Sequence, residues 1–398
     1  MNRSIINKTT IVLLSMTILF LSCSEDSELK FPNPPKSAYN KTKYSFLRDE
    51  ESSVETLDAK EQVDLLSVFT ETLEGLYITD VKELYKSMSE KGPLYGTSLK
   101  DISIASRDLF VANPTIQSQV LKDLNDNFIK IATLGDYKIK NRHAEPGKSG
   151  WVGYINGNAN NVTQVDAHGL ALQLSLRNMF VGIALLDQII NEHIGYGVLR
   201  DPELRRQNDN QTLVSPYNYT LLEHHWDMAY ELSKSKYIRD LLESDFVDFP
   251  FLSGINKRVN NAFIAGREAI TEYDYLKAES QAGIIYQGLS QAMAAQIVYL
   301  LRVSKPDVTE KASNSFNRIS EAYGFIYALI ASRRMDGSRY IDRDTALRMM
   351  KELSDGKNGF WDNHHLNDRA EVKGSIENIC LRLIALFELW EPGPEEVI

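Results

Sequence analysis

The sequence predicts an all-α fold: a packed bundle of long helices joined by long polar loops. Three observations predict it. Apolar residues recur at helical spacing in several separate stretches. Runs of alternating β-branched residues are almost absent. Helix-starting and helix-stopping residues flank the apolar stretches, as Asn113-Pro114 does before one and Pro392 after another. The 398 residues are 43% hydrophobic and 25% charged, the proportions of a globular chain long enough for one large domain or two closely packed bundles.

Taken in order, the chain opens with Arg3 and Lys8, its only charges before residue 25. The apolar run Ile11–Leu21 follows, and it is too short to span the roughly 30 Å hydrocarbon core as a helix. A basic start, a short apolar core and a small residue at the end form a secretory signal. Ser22-Cys23 then resembles the lipobox of bacterial lipoproteins, with Phe20 where Leu is usual. Residues 1–22 are therefore expected to be a cleaved signal, and Cys23 the lipid-bearing residue. Glu25, Asp26 and Glu28 resemble the surface-export signal of some Gram-negative lipoproteins, or form an ordinary solvated tether. Pro32, Pro34 and Pro35 resist helix, so residues 23–43 read as a flexible tether, and the helical body is expected over residues 44–398.

Within the body, Val63, Leu66, Thr70 and Leu73 mark one helix face, and Ile116, Val120, Leu124, Phe128 and Ile131 another. Leu176, Met179, Ile183, Leu186 and Ile190 mark a third, within Leu172–Ile190. Phe316, Ile319, Tyr323, Ile326, Tyr327 and Ile330 follow a fourth, and Ile376, Ile379, Cys380, Leu383, Ile384 and Phe387 a fifth. Three stretches break the pattern: the glycine- and asparagine-rich residues 141–169, and the polar connections 200–220 and 355–368.

Charge and motif exclude several functions. The net charge is −10, and cleavage at Cys23 would remove Arg3 and Lys8 and make the body more acidic. Nucleic acid is therefore not an expected partner, since phosphate binding needs clustered Lys and Arg. There are two cysteines, Cys23 and Cys380; with Cys23 lipidated, Cys380 has no intramolecular partner and reads as an inert buried thiol. Gly147-Lys148-Ser149 lacks the glycine of a phosphate loop, since Arg142 stands five residues before Gly147. No Gly-x-Ser-x-Gly turn supplies a serine nucleophile.

The densest polar group is Glu223-His224-His225-Trp226-Asp227, with Glu231 one turn on. On a helix His224, Asp227 and Glu231 share a face at i, i+3 and i+7, while Glu223 and Asp227 align at i, i+4. An imidazole and carboxylates projecting together are how helical bundles build metal sites, and a divalent metal ion is the cofactor such a set could hold. A second segment must complete the coordination; His168, Glu192-His193 and His364-His365 are candidates. The plainer alternative is a buried hydrogen-bonded pair that fixes helix packing. Arg267, between Phe263 and Ile270, needs an acidic partner, for which Glu223, Asp227 or Glu321 could serve.

Four segments carry a resemblance: Gln173–Gln188, Leu222–Asp227, Ala262–Ile270 and Ser320–Phe325. Together they resemble a group of bacterial envelope lipoproteins classed as a domain of unknown function, whose members often accompany imelysin-like, iron-regulated lipoproteins. The resemblance implies an outer-membrane or other envelope location, imelysin-like or other envelope partners, and iron or haem acquisition as a setting. The Gly-x-His-x-x-Glu motif of imelysins is absent here. The expected function is a lipid-anchored binding protein. The alternatives are a metal-dependent hydrolase centred on His224 and Asp227, or a structural partner of another envelope protein.

Overall fold

The computed structural model describes residues 43–75, 105–135, 143–153, 162–244, 246, 248–304 and 313–390. The expected signal, Cys23 and almost all of the tether lie outside them, as do residues 154–161 of the glycine-rich stretch.

The described chain is overwhelmingly helical. The long helices are α1 (Leu57–Gly75), α2 (Pro114–Gly135), α3 (Leu172–Val181), α4 (Pro202–Asp209), α5 (Leu221–Ser233), α6 (Lys236–Leu242), α7 (Ile255–Thr271), α8 (Tyr275–Ser304), α9 (Ser313–Ala328), α10 (Arg343–Leu353) and α11 (Ile376–Leu386). Among the described residues strands are confined to two small antiparallel pairs: β1 (Leu47–Arg48) with β2 (Glu51–Ser52), and β3 (Gly150–Val152) with β4 (Thr163–Val165). In the second pair Trp151 faces Gln164, so the part of the glycine-rich stretch that is described folds back as a hairpin.

Helix α8, thirty residues long, is the centre of the packing: it lies against α7, α9 and α11, and α9 in turn packs on α3. Only Glu272, Tyr273 and Asp274 separate α7 from α8, and so short a connection makes them neighbours. The predicted faces are the ones that meet. Leu66, Val120, Leu124, Phe128, Leu176, Met179, Ile183, Phe316, Ile319, Ile379 and Leu383 are all buried in one contiguous core. Phe69, Phe128 and Phe180 bring α1, α2 and α3 together, with Phe69 and Phe180 ring centroids 4.7 Å apart. Cys380 is a buried free thiol.

Two features depart from the sequence reading. Residues 200–220, read as a polar connection, contain α4: Asp201 accepts the backbone N–H groups of Glu203 and Leu204, and Pro202 opens the helix. With Leu204 and Asn208 its buried residues, α4 has too thin an apolar face for periodicity to reveal. The helix begun by α3 also does not keep α geometry. It continues through π turns at Gly182–Leu186 and Gln188–His193, and a third π turn occupies Arg107–Val111. The wider turns rotate Asp187, Asn191 and His193 away from the positions an unbroken α-helix would give them.

Candidate functional site

The polar group at 223–231 lies on α5, which Thr220 starts: its hydroxyl accepts the Glu223 N–H while Glu223 Oε2 accepts the Thr220 N–H at 2.8 Å. This capping box fixes the carboxylate of Glu223 at the base of the helix. The same carboxylate accepts two bonds from Arg48, each 3.0 Å, one from Arg267 Nη1 at 2.8 Å and one from the Thr271 hydroxyl at 3.1 Å. One turn further, Asp227 Oδ1 accepts Arg267 Nε at 2.9 Å and the Tyr44 hydroxyl at 2.5 Å. Arg267 completes its fork on the Ser53 carbonyl, and Phe46 lies under the guanidinium. Glu223, Asp227 and Arg267 are fully buried.

Two arginines therefore face two carboxylates in a buried site, and each group responds differently. Burial opposes ionisation of Glu223, but Arg267 and Arg48 outweigh it and hold its carboxyl below the usual range. Burial pushes Asp227 up to about 7, since Arg267 is its one cationic partner and its Oδ2 has no hydrogen bond. Burial alone would lower Arg267; Asp227 and Glu223 reverse that and keep it charged. Burial and Asp227 raise Tyr44, which stays a neutral donor.

Of the three carboxylates suggested for Arg267, the structure supplies Glu223 and Asp227, while Glu321 pairs with Arg177 at 2.9 Å. His224 does not join Asp227. Its ring stacks on Tyr219, centroids 4.5 Å apart, with Nε2 3.9 Å from Asp58. His225 turns to a different neighbour, its Nδ1 3.3 Å from Nδ1 of His193. Burial, then Arg107, pushes His225 down to about 4; burial, then His225, lowers His193. Both rings are thus neutral at pH 7, and one Nδ1–H donates to the other's bare Nδ1. Glu231 is half-buried and takes no part in either arrangement. Among the described residues no group of three or more His, Cys, Asp or Glu is placed to hold a metal ion. The candidate donors of residues 223–227 are divided among Arg267, Tyr219 and His193, and do not fit a divalent cation.

Tyr44, Arg48, Ser53 and Thr271 are the partners that sequence reasoning missed. Thr271 stands one turn after Arg267 on the same helix, a local signal. Tyr44 is 183 residues from Asp227 and Arg48 is 175 from Glu223, so no local pattern links them.

A second polar cluster was also missed. Asp187, between the two π turns, is fully buried, and its Oδ1 accepts Asn191 Nδ2 at 2.9 Å. Asn191 also donates to the Ala331 carbonyl and accepts from Arg333 Nε. An acid flanked by Leu186 and Ile189 in an apolar run was the available signal, the same one that exposed Arg267. Burial pushes Asp187 up to about 7. Its native pKa therefore lies above the unfolded value of about 4, and its contribution to stability is complete below pH 4 and lost as pH rises through 7. Asp187→Asn should gain on the wild type between pH 5 and pH 8 by roughly 2–3 kcal/mol, since about one unit of the shift is already lost at pH 5. Thermal melts at the two pH values check this, and an equal difference at both would refute it. His193 and His225, whose native pKa values are depressed, act in the opposite direction over the acid part of the range, so the variant is compared with wild type at each pH.

Residues 41–389, nearly all of the chain from the start of the described segment to the last described turn, match the domain of unknown function DUF4856. The chain belongs to the DUF4856 family. The matched region begins just before Tyr44 and Arg48, so the segment that closes the buried ion-pair site lies within the DUF4856 domain rather than preceding it. No curated protein and no solved structure matches the chain.

Proposed function

We propose that the chain is a lipid-anchored binding protein of the cell envelope, held at the outer membrane through an acylated Cys23 and serving iron or haem acquisition. The observation that carries the anchoring is the N-terminal order of residues: Arg3 and Lys8, the apolar run Ile11–Leu21, then Ser22-Cys23. Each buried acyl CH₂ contributes roughly 0.8 kcal/mol, so an anchor of more than one chain holds stably where a single chain binds only marginally. The way the body begins supports the same reading. Tyr44 and Arg48 are built into the buried ion pairs of α5 and α7, so a tether ending at residue 43 joins the body at a rigid point.

A body beside the membrane also suits α8. It is the one helix among the described residues long and apolar enough to cross a membrane, yet 78% of its most apolar window is buried inside the fold. The iron or haem setting, and an imelysin-like envelope partner, rest on the resemblance carried by Gln173–Gln188, Leu222–Asp227, Ala262–Ile270 and Ser320–Phe325. The binding reading is favoured here over a hydrolase centred on His224 and Asp227, whose side chains serve different neighbours.

Metabolic labelling with a tagged fatty acid tests the anchor. The wild-type chain should carry label and sediment with membranes, and Cys23→Ala should lose both. Label retained on Cys23→Ala, or an unlabelled wild type, would overturn the reading. Iron and haem analysis of the full chain purified in detergent tests the cargo; absence of both after incubation with ferric iron and haem would remove that part.

A further inference from the structure

Arginines withdrawn from water in this fold find acceptors. Arg48 and Arg267 share Glu223, Arg177 takes Glu321, Arg343 takes Asp123 and Arg382 takes Glu352. Arg333 donates to Asn191 and to the carbonyls of Gly337 and Asp108. Arg339 is different. It is half-buried, yet among the described residues its guanidinium has no hydrogen-bond acceptor and no carboxylate within the 4 Å of an ion pair. Asp187, Asp108 and Asp342 reach it only at longer range. Its backbone is not free to carry it elsewhere, because Arg339 bridges Arg333 as an antiparallel pair and its carbonyl accepts from Arg334.

Arg339 lines a concavity of about 640 Å³ where the start of α10 meets the end of α11, a volume suited to a small organic molecule. Two more arginines line it. Arg348 is exposed and, among the described residues, its side chain bonds only to the Thr345 hydroxyl, and Arg382 keeps an arm on Glu352. The one carboxylate in the lining, Asp342, is committed as the cap of α10, where it accepts the Thr345 N–H at 2.7 Å. The remaining wall is largely apolar and includes Ile341, Ala385 and Leu386.

A guanidinium stays charged at any physiological pH, and a charge partly removed from water without a partner is unfavourable. Burial and the neighbouring Arg333 push the Arg339 guanidinium below its ordinary value, the direction that an incoming anion reverses. The planar fork matches the two oxygens of a carboxylate or phosphate.

We propose that this concavity binds a small organic anion, with its acid group on Arg339 and its apolar body against Ile341, Ala385 and Leu386. The proposal deepens the binding-protein reading, on which it rests for its setting, by naming a ligand class.

Phenyl phosphate and benzoate are the probes, titrated calorimetrically into the full chain in detergent, and the comparison between them distinguishes a phosphate from a carboxylate ligand. At least one should bind saturably, with benzyl alcohol silent and inorganic phosphate at least tenfold weaker. Arg339→Met, which keeps the apolar stem, should weaken binding at least tenfold. Arg348→Ala, at the exposed rim, should weaken it about threefold and keeps the test valid if Arg339→Met misfolds. Silence of both aromatic anions, equal binding of benzyl alcohol or inorganic phosphate, or undiminished affinity in the variants would overturn the proposal. Loss of label at Cys23 with probe binding intact would remove the anchor alone, and the converse result would remove the pocket alone.

Discussion

Arg267→Met should melt far below the wild type. The substitution keeps the apolar stem of the side chain but removes the group that joins Glu223 to Asp227. Glu223 retains Arg48 and Thr271, whereas Asp227 is left with the Tyr44 hydroxyl alone. Removing one partner of a buried ion pair costs about 3–5 kcal/mol. Because burial already places Asp227 at about 7, it can escape by taking up a proton, and the loss should fall toward the lower end. At about 2–4 °C per kcal/mol for a large domain, the melting temperature should drop by roughly 10 °C. Pairing the substitution with Asp227→Leu should recover part of the loss, since an apolar replacement of a buried pair is often nearly neutral. An Arg267→Met melt that overlays the wild type would show that the site holds nothing together.

Gly324→Ala should be the second severe change, although alanine is the better helix former by about 1 kcal/mol. Helices α9 and α3 cross so closely that a Cβ at 324 would lie 2.2 Å from the Ser175 carbonyl oxygen and 2.9 Å from its carbon. The obstacle is backbone, so no side-chain rotation relieves it and the two helices must part. Overpacking of this kind costs about 1–3 kcal/mol and sometimes more. Gly288 provides the comparison. A Cβ there meets a Val259 methyl at 2.7 Å, a longer approach and to a side chain rather than to backbone. Denaturant unfolding of both variants should rank Gly324→Ala as clearly the less stable. The reverse order, or equality, would mean that the α3–α9 crossing is looser than its geometry implies.

Whatever depends on local spacing could be read from the sequence. Leu176, Met179 and Ile183 are buried because a helix repeats every 3.6 residues, and the repeat is written in the sequence. Arg267 could be identified as a paired residue because a charge among apolar neighbours needs an opposite charge. The structure groups the residues of 223–231 differently from their spacing, for a related reason. His224 and Asp227 share a face by spacing as readily as Glu223 and Asp227 do. What decides between them is the position of Arg267 on a second helix, which spacing does not encode. Helix α4 escaped notice because its apolar face is thin, though Asp201-Pro202 announced its start. Arg339, Arg348 and Arg382 share a concavity only after α10 and α11 pack, and nothing in their separation foretells it.

The attachment of Tyr44 and Arg48 to α5 and α7 also sets an order of assembly. A chain emerges N-terminus first, so the segment that closes the ion-pair site appears long before its partners. Arg267 reaches back 214 residues to Ser53. Closing so long a loop is slow, and the entropy of closure comes before any contact rewards it. Until Arg267 arrives, Arg48 and Glu223 can meet but Asp227 has no cation. On this loop-closure argument the first part of the body to be made is expected to be among the last secured, with the end nearest the proposed anchor acting as the latch of the fold rather than its seed.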